Sequence, residues 1–155
     1  VLVGANAACE RSGPLEVESI RQWAETAGYA WIEGPDEIRS EQAFYDYVNG
    51  AAQPIIDLGW KRSVYGVLTR EGRRLRLTVH EMKSPREAIA IFDQNVAGDT
   101  QPVSVGEKAV TWDRGEFSRG ILFRQAALSC ELVFEKEGGK EELLGLASSL
   151  AARMR

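Results

Sequence analysis

One histidine and two cysteines among 155 residues remove several kinds of chemistry at the outset. Zinc is held by clustered Cys and His side chains, so His80, Cys9 and Cys130 alone do not compose a structural site, and no metal or other cofactor is expected. Two cysteines are too few for a disulfide framework, although Cys9 and Cys130 could pair in an oxidising compartment. A phosphate-cradling glycine loop is also missing, since neither Gly13-Pro14 nor Gly138-Gly139 has the required spacing. No run approaches the roughly 18 apolar residues of a membrane-spanning helix. Positive charge is not in excess. With 19 Lys and Arg against 23 Asp and Glu the net charge is −4, which argues against nucleic acid as a partner. The local exception, Arg70 to Arg76 ("REGRRLR"), reads either as a site for an anionic partner or as a solvated hairpin tip.

What is present is ordinary for a globular protein: 44% hydrophobic and 27% charged residues. The expected organisation is a short N-terminal segment, residues 1–13, followed by one α+β domain over residues 14–155. The segment opens on apolar Val1 to Val3 and continues into Ala5-Asn6-Ala7, the small-x-small form of a signal-peptidase site. That reading makes the protein exported, in the periplasm or associated with the cell envelope. Cys9 suggests a lipoprotein signal instead, with a lipid anchor on its thiol, but Asn6 stands where such a signal usually has Leu. An ordered N-terminal segment is the competing reading.

Periodicity places the elements. Val17, Ile20, Trp23, Ala24 and Ala27 have helical spacing closed by Gly28, and "YAWIEG" reads as a short extended piece ending at Gly34-Pro35. Lys61 to Arg70 and Leu75 to Met82 form an antiparallel hairpin turned at Glu71-Gly72. Ser84-Pro85-Arg86-Glu87 is a capping box opening a helix whose buried stripe is Ala88, Ile89, Phe92 and Val96. Short strands follow around Val103 to Val105 and Ala109 to Trp112. A second hairpin pairs "FSRGILFRQ" with "LSCELVFEK", and a final helix carries Leu143, Ala147, Leu150 and Met154, with Leu144 and Ala151 beside them. Hairpins without alternating βαβ units predict a mainly antiparallel sheet with helices packed on it. At the level of fold this resembles the α/β/α sandwich of oxygen-evolving photosystem extrinsic subunits, a likeness that transfers no activity.

The segment "FYDYVNGAAQPIIDLGW", Phe44 to Trp60, keeps Phe44, Val48, Ala51, Ile55 and Leu58 on one helical face across Asn49-Gly50 and Pro54. A helix interrupted between Asn49 and Pro54 is therefore expected, with the Asn49 amide bonding the backbone groups that the break frees. His80, Arg76 and Thr78 fall on the strand face opposite Leu75, Leu77 and Val79, so His80 and Glu81 point apart and cannot cooperate. His80 reads as a satisfied strand histidine, Cys130 as a buried inert thiol, and Trp23, Trp31, Trp60 and Trp112 as core packing.

Together with "VYGVLTREGRRLRLTVHEMKSPREAIAIF", that segment resembles an uncharacterised family of secreted bacterial proteins, a domain of unknown function. The matching residues are Tyr45, Tyr47, Val48, Asn49, Gly50, Ala51 and Ala52, then Gly59 and Trp60, and in a second block Met82, Ser84, Pro85, Ala88 and Ile91. The resemblance spans about Trp31 to Phe134. Gln53 replaces the family's Glu, Pro54 is unusual, and His80-Glu81 replaces Tyr-Asp. The resemblance implies export and no particular reaction. Two functions are compatible with these residues. One is a non-enzymatic envelope module that binds a ligand or protein partner, with Tyr47, Asn49, Gln53 and Trp60 as candidate contacts. The other is a small hydrolase-like enzyme with a pocket around Asn49, Gln53 and Trp60 and an acid such as Asp46 or Asp57.

Overall fold

The computed structural model describes residues 16–136 and 138–155, so the signal-peptide, lipid-anchor and Cys9 expectations lie outside the described residues. Helix α1 (Val17–Thr26) leads into β1 (Ala30–Ile38), α2 (Glu41–Val48), a 3-10 turn (Asn49–Ala51) and α3 (Ala52–Asp57). Strands β2 (Trp60–Arg70) and β3 (Arg73–Met82), helix α4 (Pro85–Asn95) and strands β4 (Gln101–Val103), β5 (Lys108–Asp113), β6 (Arg119–Gln125) and β7 (Leu128–Phe134) follow, before α5 (Lys140–Arg153). The seven strands form one sheet in the order β1-β2-β3-β7-β6-β5-β4, and every neighbouring pair is antiparallel. Two meanders, β1–β3 and β4–β7, therefore meet where β3 lies against β7. This is the expected α+β class.

Alternation along the strands assigns the two faces. Leu75, Leu77 and Val79 share one face with Cys130, Leu132, Ile121 and Phe123, and α1 and α5 bury it through Ile20, Trp23, Leu143, Leu146 and Leu150. Tyr65 and Leu122 point the other way, where Phe44 of α2, Ala52 of α3 and Ala88, Ile91 and Phe92 of α4 cover them. Both faces are thus roofed by helices, an α/β/α sandwich. Cys130 lies in the larger core with its Sγ 3.5 Å from Met154 Sδ, and burial raises its thiol pKa, as an inert thiol requires.

The interrupted helix forms as expected, with a difference in detail. The break is the 3-10 turn at Asn49–Ala51, where Asn49 adopts φ 55 and ψ −139. Asn tolerates positive φ better than other residues with a side chain, and this is its contribution. Its exposed amide makes no hydrogen bond to the described residues, contrary to the expected capping role. Pro54 falls in the first turn of α3, where the N–H it lacks would have had no helical partner anyway. The proline therefore costs little, because the chain had already broken one turn earlier.

Three other expectations are corrected. Strand β1 does not stop at Gly34-Pro35 but runs through it, with register shifts between Trp31 and Glu33 and between Glu33 and Asp36. An edge strand accommodates proline because its outward N–H is not needed for pairing. Gly34 is required there: its φ is +73, and a Cβ would come within 2.6 Å of the Tyr65 carbonyl oxygen. In α4 the buried stripe is Ala88, Ile91 and Phe92, while Ile89 is exposed, since the register is set by contact with the sheet. In α5, Leu146 joins the buried face.

The α4 cap works through Ser84, whose Oγ accepts from the Arg86 N–H at 3.2 Å and donates to the Glu87 carboxylate. The Ser84 hydroxyl, with the nearby charges of Arg86 and Lys83, holds the Glu87 carboxyl below the usual range. Ser84→Ala should cost about 1 kcal/mol of stability, measured by urea unfolding at neutral pH. At the basic hairpin tip Arg70, Arg74 and Arg76 are exposed. Arg73 bonds Glu142 at 2.6 Å, Arg74 and Arg76 both reach Glu135, and Arg70 lies over the Tyr29 ring.

Candidate functional site

The four residues singled out in the sequence do not converge. Tyr47, Asn49 and Gln53 are exposed, Tyr47 stacking on Tyr65 at 4.3 Å and Gln53 donating from Nε2 to Asp57 at 2.6 Å. Trp60 is core, stacked on Phe44 with ring centroids 4.6 Å apart. The face that carries Phe44 and Ala52 packs inward, so helical periodicity sends their polar neighbours outward. Asp46 accepts from Gln42 at 2.9 Å, one turn away on the same helix, and is likewise exposed.

A different line of polar groups crosses the sheet under α2 and α4. Trp60 Nε1 donates to Ser63 Oγ at 2.7 Å, and Ser63 Oγ lies 2.6 Å from His80 Nδ1. The register then aligns Ser63, His80, Ser129 and Arg124 across four strands. An indole only donates, so Ser63 accepts from Trp60 and its own proton is available to His80 Nδ1. Burial lowers the His80 pKa from 6.5 to about 4, which keeps the ring neutral near pH 7. No carboxylate contributes to that shift, and the Ser63 hydroxyl is already engaged by both Trp60 and His80. A serine–histidine contact of this kind holds the sheet face together and does not compose a nucleophile and its base.

Ser129, the next residue in the line, is 2% exposed, and its hydroxyl has no hydrogen-bond partner among the described residues. It lines a cavity of about 260 Å³ with Thr78, His80, Asn95, Leu122 and Glu131. Asn95, Leu122 and Glu131 also line a second cavity of about 280 Å³, which extends beneath the loop after α4 toward Val110 and Trp112. The two therefore form one cleft. Its floor is β7, β6 and β5, and its wall is the C-terminal end of α4 with the following loop.

Glu131 sits at the junction of the two cavities. Burial raises its carboxyl pKa above the ordinary value, partly offset by the charges of Arg76 and Arg114. Trp112 is half-buried and lies over Gly120 on the neighbouring strand, where a Cβ would come within 2.1 Å of the ring. Thr78, Asn95, Ser129 and Glu131 were not singled out by pattern, and Trp112, read from the sequence as core packing, is instead half-buried at the cleft. The available signal was "LSCELVF", an apolar strand with Ser129 and Glu131 on one face, in a chain with helices enough to cover both faces.

No family model and no curated protein matches the chain. Among solved structures, the crystal structure of the extracellular domain of PknH from Mycobacterium tuberculosis is similar, with a TM-score of 0.53 and 8% identity over 90% of this chain and 91% of that one. Among the described residues, no helix is long and apolar enough to cross a membrane. At this identity the likeness shows a shared fold, carried here by an antiparallel sheet roofed on both faces.

Proposed function

We propose that this protein is an exported, non-enzymatic module that binds a small polar ligand in the cleft between α4 and the β5–β6–β7 face. The Ser129 hydroxyl carries the reading: it is buried, unpartnered and on the cleft floor beside Thr78 and Glu131. A buried polar group without a partner costs roughly 1–3 kcal/mol, so a ligand that supplied the missing bond would bind there with that cost relieved. Export is supported by Ala5-Asn6-Ala7, by the resemblance to a family of secreted bacterial proteins, and by a structural neighbour that is an extracellular domain. A lipid on Cys9 would add tethering to the envelope. The hydrolase-like alternative around Asn49, Gln53 and Trp60 has no comparable support, because those side chains are split between the outer surface and the core.

A thermal-shift screen against polar metabolites tests the proposal, since a ligand held at about 100 times its Kd stabilises the native state by about 2.7 kcal/mol. Ser129→Ala should leave the unliganded protein as stable as wild type or up to about 1 kcal/mol more stable, and should shrink the ligand-induced shift. A variant clearly less stable than wild type would mean that the hydroxyl is already satisfied, and the reading would lose its main support.

A further inference from the structure

One acid stands at the centre of the cleft. Glu131 lines both of its cavities, and the register sets it opposite Thr78 on one neighbouring strand and Leu122 on the other. Its carboxylate has neither a hydrogen bond nor an ion pair among the described residues, and only the more distant charges of Arg76 and Arg114 act on it. Arg76 is exposed and bonded to Glu135 at 3.2 Å, and Arg114 is exposed at the outer end of the cleft. A carboxylate buried without a counter-ion is costly, and a cation brought to it relieves that cost. Two residues before Glu131 on the same strand face is Ser129, whose buried hydroxyl is also without a partner among the described residues. Both side chains line the inner cavity, so they share one space.

The lining selects the sign and size of an occupant. Among the described lining residues Arg114 is the only Lys or Arg, against the acids Asp99, Asp113 and Glu131. Asp113 is already neutralised by Arg119 at 2.6 Å, which leaves Glu131 on the floor and Asp99 on the rim. An anion would therefore meet a carboxylate where it needs a cation. A metal ion would lack its coordination shell, because among the described residues no three His, Cys, Asp or Glu side chains gather as ligands. An ammonium group has three protons to donate, and the Glu131 carboxylate with the Ser129 and Thr78 hydroxyls can accept them. Beyond Glu131 the wall turns apolar, through Leu122, Val110 and a Trp112 ring packed over Gly120. That surface suits an alkyl chain. Each cavity is smaller than the roughly 300–1,000 Å³ of a drug-sized site, so the occupant has few heavy atoms. Resting on the ligand-binding reading above, we propose that the cleft binds a small primary alkylammonium compound, its ammonium group on Glu131 and Ser129 and its chain along Leu122, Val110 and Trp112.

The test is calorimetric titration of the full chain at neutral pH with butylamine, hexylamine and putrescine, and with 1-butanol, 1-hexanol and butyrate as neutral and anionic counterparts. At least one amine should bind, about tenfold or more tighter than the alcohols and butyrate. Glu131→Gln should weaken that amine about tenfold or more, with its melting temperature confirming that it folds. The comparison of amine with alcohol is made on wild type, so it discriminates even if the variant does not fold. The proposal is overturned if no amine binds, if an alcohol or butyrate binds as tightly, or if a folded Glu131→Gln binds the amine unchanged. If the metabolite screen finds a ligand without an ammonium group whose binding depends on Ser129, only the ammonium assignment fails. If nothing binds in either experiment, the ligand-binding reading fails with it.

Discussion

Replacing Arg62 with alanine should lower the free energy of unfolding by roughly 3–5 kcal/mol, the usual cost of leaving a buried charge without its partner. Arg62 is 14% exposed and bridges Glu81, 6% exposed, and Glu37, whose Oε1 lies 3.0 Å from Nη1. Burial alone would lower the Arg62 pKa, but its bonds to Glu81 and Glu37 override this and raise it, so the guanidinium is fully charged in the fold. Without it, Glu37 retains Arg39 at 2.7 Å, while Glu81 keeps only the more distant, exposed Lys61 at 3.3 Å. Glu81 is therefore the group left stranded. The double variant Arg62→Leu/Glu81→Leu should recover most of the loss, because it removes both charges from the interior. As a control, Arg74→Ala at the solvated hairpin tip should change stability by less than about 1 kcal/mol. Urea unfolding measures all of these. A loss for Arg62→Ala no larger than for Arg74→Ala would show that Lys61 and water compensate fully.

The second large effect is a loss of stability on mild acidification. His80 has a folded pKa of about 4 against an ordinary 6.5, so the unfolded chain takes up this proton more readily than the native protein. The contribution is fully present above pH 6.5 and is lost as the pH falls through the window down to about 4. A shift of this size corresponds to on the order of 3 kcal/mol by the bottom of that window. Carboxylates titrate in the same range, so the informative quantity is the difference between wild type and His80→Gln. The variant should be less stable than wild type at neutral pH, where it loses packing against Phe44 and Tyr65, and its acid-induced loss should be shallower. Parallel curves from pH 7 to 4 would mean that the ring is protonated as easily in the fold as out of it.

Much of the fold was legible locally. The strands of both hairpins alternate cleanly, Ser84-Pro85 marks the start of α4, and Gly28 closes α1, because each signal depends on a few neighbouring residues. His80 was correctly placed opposite Leu75, Leu77 and Val79, since side chains on a strand alternate whatever packs against them. The failures occurred where a neighbour in space decided. Ile89 and Ile91 are equally apolar, and contact with β6, β7 and β3 selects which turns inward. Gly34-Pro35 looked like a terminator because pairing with β2 through two register shifts is invisible in a local window.

The candidate site shows the division most sharply. Composition and local periodicity suffice for the antiparallel α+β class, the buried Cys130, the break after Val48 and the lack of a histidine-rich centre. Those properties depend on composition and on periods of two and 3.6 residues, both readable along the chain. Packing in three dimensions is what turns Tyr47, Asn49 and Gln53 outward. Only it brought Thr78, Asn95, Trp112, Ser129 and Glu131 around one cleft, joining strands β3, β5 and β7 to the end of α4. No local pattern encodes that meeting, because strand order, with β3 beside β7, is set by how the two meanders bury their common apolar face.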